Sequence, residues 1–198
     1  MKHPVEGSLI PVTHDLGAFK VRRVLPARGL TMVGPFCFVD QFGPGHFDIG
    51  QGMDVRPHPH IGLSTVTYLF EGAIDHRDSL GSFATIHPGA VNLMTAGKGI
   101  VHSERSPQAE RDAGGPMYGM QTWLALPDGK EEIDPAFEQV AANQLPILTA
   151  PGFRPVSSWA ASGGRLRPPP AMCQPFMQIL CWKRAGLFRL TPRRMNAP

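Results

Sequence analysis

Two short stretches carry side chains able to hold a metal ion. One is Arg56-Pro57-His58-Pro59-His60 and the other is Gly99-Ile100-Val101-His102-Ser103-Glu104. Each presents two metal-competent groups spaced i, i+2. In a β-strand successive side chains point to opposite faces, so residues i and i+2 share a face, roughly 6.5–7 Å apart. Two such strands, facing each other inside a barrel, would gather His58, His60, His102 and Glu104 around one ion. That donor set leaves one or two positions for water, O2 or substrate. Mixed nitrogen and oxygen ligation with open positions suits Fe(II), with Mn, Co, Ni, Cu and Zn as alternatives. Ligand rings need partners that orient them, and His76, Ser103 and Gln121 are the candidates. His46 and His87 sit beside turn residues and read as surface histidines. Cys37, in an apolar strand, reads as a buried small hydrophobe. No Ser-His-Asp ordering or Cys-His pair competes with the metal reading, and Gly97-Lys98-Gly99 is too short for a phosphate loop.

The elements around these pairs read as strands. Phe19–Leu25 and Pro35–Phe42 alternate or run apolar, and Gly43-Pro44-Gly45-His46 has turn chemistry. Leu63–Phe70 is β-branched and aromatic, and Glu71-Gly72 turns it back into Ala73–Asp78. Phe83–Ile86 and Ala90–Met94 flank Pro88-Gly89, and Tyr118–Leu126 is another long strand. Short strands with frequent turns predict an all-β sandwich or barrel. One helical turn is expected at Asp134-Pro135-Ala136-Phe137-Glu138, where an acid precedes proline at a first helical position.

At 198 residues the chain is one domain or slightly more, with 42% hydrophobic residues to fill a core. No apolar run approaches membrane-spanning length, and the N-terminus lacks the apolar segment of a secretory signal. Three cysteines make no disulfide framework and fit a reducing cytosol, so a cytoplasmic location is expected. The net charge of +3 conceals an asymmetry: all 16 acids lie within residues 1–150 against 11 Lys and Arg, while residues 151–198 hold eight Lys and Arg and no acid. No specific nucleic-acid motif accompanies that charge.

Beyond spacing, the sequence resembles the pirins, members of the cupin superfamily, from about Val21 to about Pro146. The resemblance is carried by Val21-Arg22-Arg23-Val24-Leu25-Pro26, by Gly52-Met53-Asp54-Val55 leading into Arg56–Gly62, by His76-Arg77-Asp78-Ser79-Leu80-Gly81, by Met94–Arg105 and by Gln121-Thr122-Trp123-Leu124-Ala125-Leu126-Pro127. It implies an all-β cupin fold, a double-stranded β-helix or jelly-roll-like barrel, here in residues 1–150. It also implies one non-haem iron on His58, His60, His102 and Glu104. The glutamate that many cupins place shortly after His-x-His is replaced here by Ser64 and Thr65. Some pirins are similar in activity to quercetin 2,3-dioxygenases, which implies a flavonol-like substrate and O2, with Glu104 as a candidate proton acceptor. Others act as iron-dependent transcriptional or metabolic regulators through a protein partner, and an inactive truncated fragment is a third reading.

The pirin pattern stops near Pro151, where a second barrel is expected. The segment 151–198 instead holds eight prolines, two of the three tryptophans and two of the three cysteines. It reads either as a basic tail for a nucleic acid or membrane surface, or as an out-of-frame remnant of the second cupin domain. A change of frame near residues 147–154 is the favoured explanation, and poor order is expected from about Gly152 onward.

Overall fold

The computed structural model describes residues 9–17 and 19–145. The expectations for the tail fall on residues outside those described. Eleven strands run in order: β1 (Val12–Asp15), β2 (Lys20–Leu25), β3 (Phe36–Phe47), β4 (Asp54–His60), β5 (Leu63–Glu71), β6 (Ile74–Asp78), β7 (Phe83–Ile86), β8 (Val91–Thr95), β9 (Ile100–Arg105), β10 (Gly115–Ala125) and β11 (Ala136–Val140). The single α-helix among the described residues, α1 (Gln108–Ala113), is six residues long. The protein is therefore all-β, as expected, and none of its described helices is long and apolar enough to cross a membrane.

The strands form a seven-stranded sheet, β1-β2-β3-β10-β5-β8-β11, and a four-stranded sheet, β4-β9-β6-β7. Every pairing is antiparallel. Contacts between the sheets, such as Gln121 to Glu104 and Phe137 to His76, show that the two face each other. The central strands of the large sheet, β5 and β8, are buried on both faces. The sheet's inward residues Phe42 and Leu69 join Ile74 and Ile86 of the small sheet in an apolar floor. Val39, Val66, Leu93 and Leu124 alternate with the inward residues and build a second core on the other face. Burial on both faces explains why β5 and β8 are apolar or β-branched at nearly every position.

Two expectations are corrected. Ala136–Val140 is a strand, not a helical turn, and pairs antiparallel with β8. Alternation decides this: Phe137 turns inward onto His76, and the edge of β8 offers a ladder that isolated helix signals cannot match. Gly43-Pro44-Gly45 lies inside β3, not at its end, because β10 continues beside it through a bulge between Met117 and Gly119.

β4 contains Pro57 and Pro59, which would break a central strand. It forms the edge of the four-stranded sheet, where a missing N–H costs no ladder bond. The prolines thus sit between the histidines on a strand that tolerates them.

Candidate metal centre

The sequence reading has the two ligand pairs on opposing strands. They are instead side by side: β4 and β9 are neighbours in one sheet, with His58 directly opposite His102 and His60 opposite Ile100. Paired positions bring Cβ atoms within about 5 Å, close enough for two rings to share an ion. A bulge makes the arrangement work. Val55 pairs with Glu104 and His58 with His102, so three steps on β4 match two on β9. The extra residue lets Val55, which packs against the apolar floor, and His58 both turn inward.

The ligand atoms of His58, His60 and His102 all lie within 4.8 Å of one another. His58 Nδ1 is 2.9 Å from the Arg56 carbonyl oxygen. A carbonyl only accepts, so the proton is on Nδ1 and Nε2 keeps its lone pair. His102 is 2% exposed. Its Nε2 is buried and meets no hydrogen-bond partner among the described residues. Such a buried orphan atom is costly unless something binds it. His60 stands edge-on to Trp123 at 4.9 Å, and Trp123 stacks on Phe38 at 4.1 Å. The donor set fits a single metal ion.

Electrostatics favour the same use. Burial, and then the neighbouring His58, push His60 down to about 4. Burial, followed by His58, His60 and His76, pushes His102 down to about 3. Both rings are neutral above about pH 5, the form that binds metal. The sign for stability follows. An unfolded histidine takes a proton near pH 6.5, whereas these rings resist it when folded, so the unfolded chain binds more protons as pH falls. The metal-free protein is expected to hold this contribution in full above about pH 6.5 and to lose about 1.4 kcal/mol per pH unit for each ring on the way down to pH 4. Urea midpoints at pH 7.5, 6 and 5 check this, and a flat profile would contradict it.

Glu104 shares the inward face of β9 with His102 and is 5% exposed. Its carboxylate is turned toward the large sheet and stands outside the group formed by the histidine nitrogens. Gln121 Nε2 donates to both its oxygens at 2.9 Å, and Thr67 Oγ1 donates to Oε1 at 3.4 Å. Trp123 Nε1–H, which can only donate, points to Gln121 Oε1 at 3.4 Å, so the amide of Gln121 presents its NH2 to Glu104.

The other candidates separate by face. His76 is buried at the centre of β6, with its ring flat against Phe137 at 4.3 Å. Its Nδ1 is 3.4 Å from His102 Nδ1 and its Nε2 is 3.0 Å from Asp78 Oδ2. Ser103 lies on the opposite face of β9. There it lines a cleft of about 320 Å³ with Asp54, Asp75, Arg77 and Arg105, away from the imidazoles. Arg105 is paired across the strands with both Asp54 and Asp75, a charge ladder that explains that surface. His46 and His87 are exposed, as expected, and Cys37 is half-buried with its thiol toward the Trp123 carbonyl.

Asp78, Thr67 and Trp123 escaped the sequence reading. Asp78 follows His76, and Trp123 follows Gln121, at the same i, i+2 spacing that marked the ligand pairs. That signal was present for both. Thr67 gives none within a β-branched strand.

The two facing sheets and their inward histidines define a cupin-type barrel with a triad able to hold one metal ion. Residues 18–124 match the pattern of the family described as Pirin. The chain belongs to the pirin family. It is 62% identical over 125 residues to a Caulobacter vibrioides protein named pirin-like, covering 62% of this chain and 43% of that protein. It is 48% identical over 122 residues to a Pseudomonas aeruginosa protein named provisionally as a quercetin 2,3-dioxygenase, covering 62% of this chain and 38% of that one. A crystal structure of quercetin 2,3-dioxygenase from Acinetobacter baumannii superposes with a TM-score of 0.64 at 44% identity, covering 73% of this chain and 46% of the other. The chain thus spans less than half the length of each of these proteins.

Proposed function

We propose that the barrel is a mononuclear, non-haem metal centre, with Fe(II) as the native ion, that opens a flavonol ring with O2 as quercetin 2,3-dioxygenases do. The observation that carries this is the inward triad of imidazoles with an orphaned Nε2 on His102. The names of the relatives supply the substrate class. His58, His60 and His102 would hold the ion, with Glu104 as a fourth ligand when its carboxylate turns from Gln121. A bound ion supplies Lewis acidity toward the substrate's hydroxyl and reactivity toward O2.

The chain's own residues do the rest. Glu104 is the proton acceptor for the flavonol 3-hydroxyl. Its orientation is held by the hydrogen bonds that Gln121 and Thr67 donate to it. Trp123, edge-on to His60 and backed by Phe38 and Arg23, forms an aromatic wall beside the triad. The apolar floor beneath Glu104 keeps bulk water from the reacting face. A domain boundary near residue 150, with an out-of-frame remnant beyond it, is part of this reading, and so is a cytoplasmic setting for a reduced iron centre.

Anaerobic loading with Fe(II), followed by quercetin and air, tests the proposal. Expected are oxygen uptake in proportion to bound iron, release of carbon monoxide, and loss of both on chelation. A protein that binds iron stoichiometrically yet consumes no oxygen with quercetin would sink the oxygenase reading and favour a regulator.

A further inference from the structure

A buried polar chain in the barrel begins at a carboxylate outside the ligand set. Asp78 Oδ1 accepts from two backbone amides, Leu80 N at 2.9 Å and Ser82 N at 3.0 Å. Its Oδ2 is 3.0 Å from His76 Nε2, and the two side chains are 0% and 3% exposed. The orientation of the carboxylate is therefore set by main chain. The ring of His76 is held in plane by Phe137, at an interplanar angle of 13°. Its other nitrogen, Nδ1, faces His102 Nδ1 at 3.4 Å.

The proton positions follow in sequence. The Asp78 carboxylate accepts, so His76 carries its proton on Nε2. With its proton on Nε2, His76 presents the Nδ1 lone pair toward His102, and the 3.4 Å contact is made by a proton on His102 Nδ1. That leaves His102 Nε2 as the bare nitrogen, which is the buried atom without a partner. We propose that Asp78, acting through His76, sets the tautomer of His102 and so decides which nitrogen of that ring can bind a metal ion. This rests on reading the histidine triad as a metal centre. Asp78 and His76 are positioning residues, since neither belongs to the group formed by the histidine ligand atoms. Metal-bound histidines commonly donate their second N–H to a carboxylate or carbonyl. Here an imidazole is interposed, which carries the main-chain geometry of the β6–β7 turn into the ligand set.

Replacement of Asp78 by asparagine reverses the chain by simple chemistry. The two backbone amides require an acceptor, so the asparagine carbonyl oxygen keeps them and its NH2 turns to His76. His76 must then accept on Nε2 and carry its proton on Nδ1. His102 in turn accepts on Nδ1 and is protonated on Nε2, the nitrogen needed for metal.

Long-range proton–nitrogen correlation spectra of the metal-free, ¹⁵N-histidine-labelled protein read these tautomers directly. The expected native result is Nε2–H on His76 and Nδ1–H on His102. Asp78→Asn should exchange both assignments and weaken Zn²⁺ binding, measured by competition with a chelating dye, by about 10–100-fold. His76→Phe keeps an aromatic ring to stack on Phe137 but removes both nitrogens. It should leave His102 without a fixed tautomer and weaken Zn²⁺ binding by about 10-fold. This second variant carries the test if Asp78→Asn does not fold, and the native spectrum decides the tautomer without either. Native His102 protonated on Nε2 overturns the proposal, as do folded variants with unchanged tautomers and unchanged Zn²⁺ affinity. The spectra need no metal, oxygen or flavonol. The assigned tautomers in a protein without oxygenase activity would support this inference and count against the oxygenase reading alone.

Discussion

His102→Ala is expected to abolish metal binding and flavonol-dependent oxygen uptake together, in a protein that still folds. The ring stands between the other two ligands and the orienting His76, with centroids 4.4 Å from His58, 5.0 Å from His60 and 5.2 Å from His76. Losing an outer partner of a ligand typically costs about 10–100-fold in metal affinity, and losing the ligand itself costs more. Affinity should therefore fall by more than about 100-fold, which at micromolar iron leaves the site empty. The fold should tolerate the change. Removing a buried ring leaves a small cavity worth about 1–3 kcal/mol, and the orphaned Nε2 disappears with it. His87→Ala is the control, because His87 is exposed and follows β7, the edge of the small sheet opposite β4. Iron content by mass spectrometry, oxygen uptake and a thermal melt on both variants give the answer. A His102→Ala protein that retains stoichiometric iron would contradict the assignment of this ring.

Gly97→Ala should have the largest effect on stability among single glycine replacements in the β8–β9 connection. Gly97 has φ +51°, a left-handed conformation that a side chain adopts at some cost. Sterics are the greater obstacle. A Cβ there would collide with the carbonyl of Ile133, which is main chain and cannot rotate aside. That carbonyl is also engaged, accepting from Lys98 N at 2.9 Å, while Gly97 itself accepts from Gly62 N at 2.8 Å. The segment must shift and lose hydrogen bonds, which should cost about 3 kcal/mol or more. Gly81→Ala separates the two causes, since Gly81 has φ +86° and open space around its Cβ position. It should cost only about 1 kcal/mol. Urea midpoints of both variants test the argument. Equal losses would show that backbone conformation alone governs, and that close packing on Ile133 contributes nothing. Because Gly97 feeds directly into Ile100 and His102, the same variant should also weaken metal binding.

The all-β class was legible because β-branched and aromatic runs, punctuated by Gly and Pro, admit few other folds. The segment around Phe137 was not. Its helix signals are local, while its strand state depends on pairing with β8 and on a ring, His76, that lies 61 positions away in the chain. Ser103 turns away from the triad for a related reason. Being next to two ligands in sequence places a strand residue on the face away from them. Gln121 and His76 have side chains suited to orienting ligands, and the fold brings both inward, onto Glu104 and His102 respectively.

The sequence by itself determined the pairs: i, i+2 spacing follows from covalent geometry, so His58 with His60, and His102 with Glu104, share faces in any strand that contains them. Tertiary structure decided how the pairs meet. It made β4 and β9 neighbours, inserted the bulge that turns His58 inward above Val55, swung the Glu104 carboxylate to Gln121, and ran the Asp78–His76 chain onto His102. These depend on register and on contacts between residues distant in the chain. The two-residue period of a strand carries no information about which strand will lie beside it.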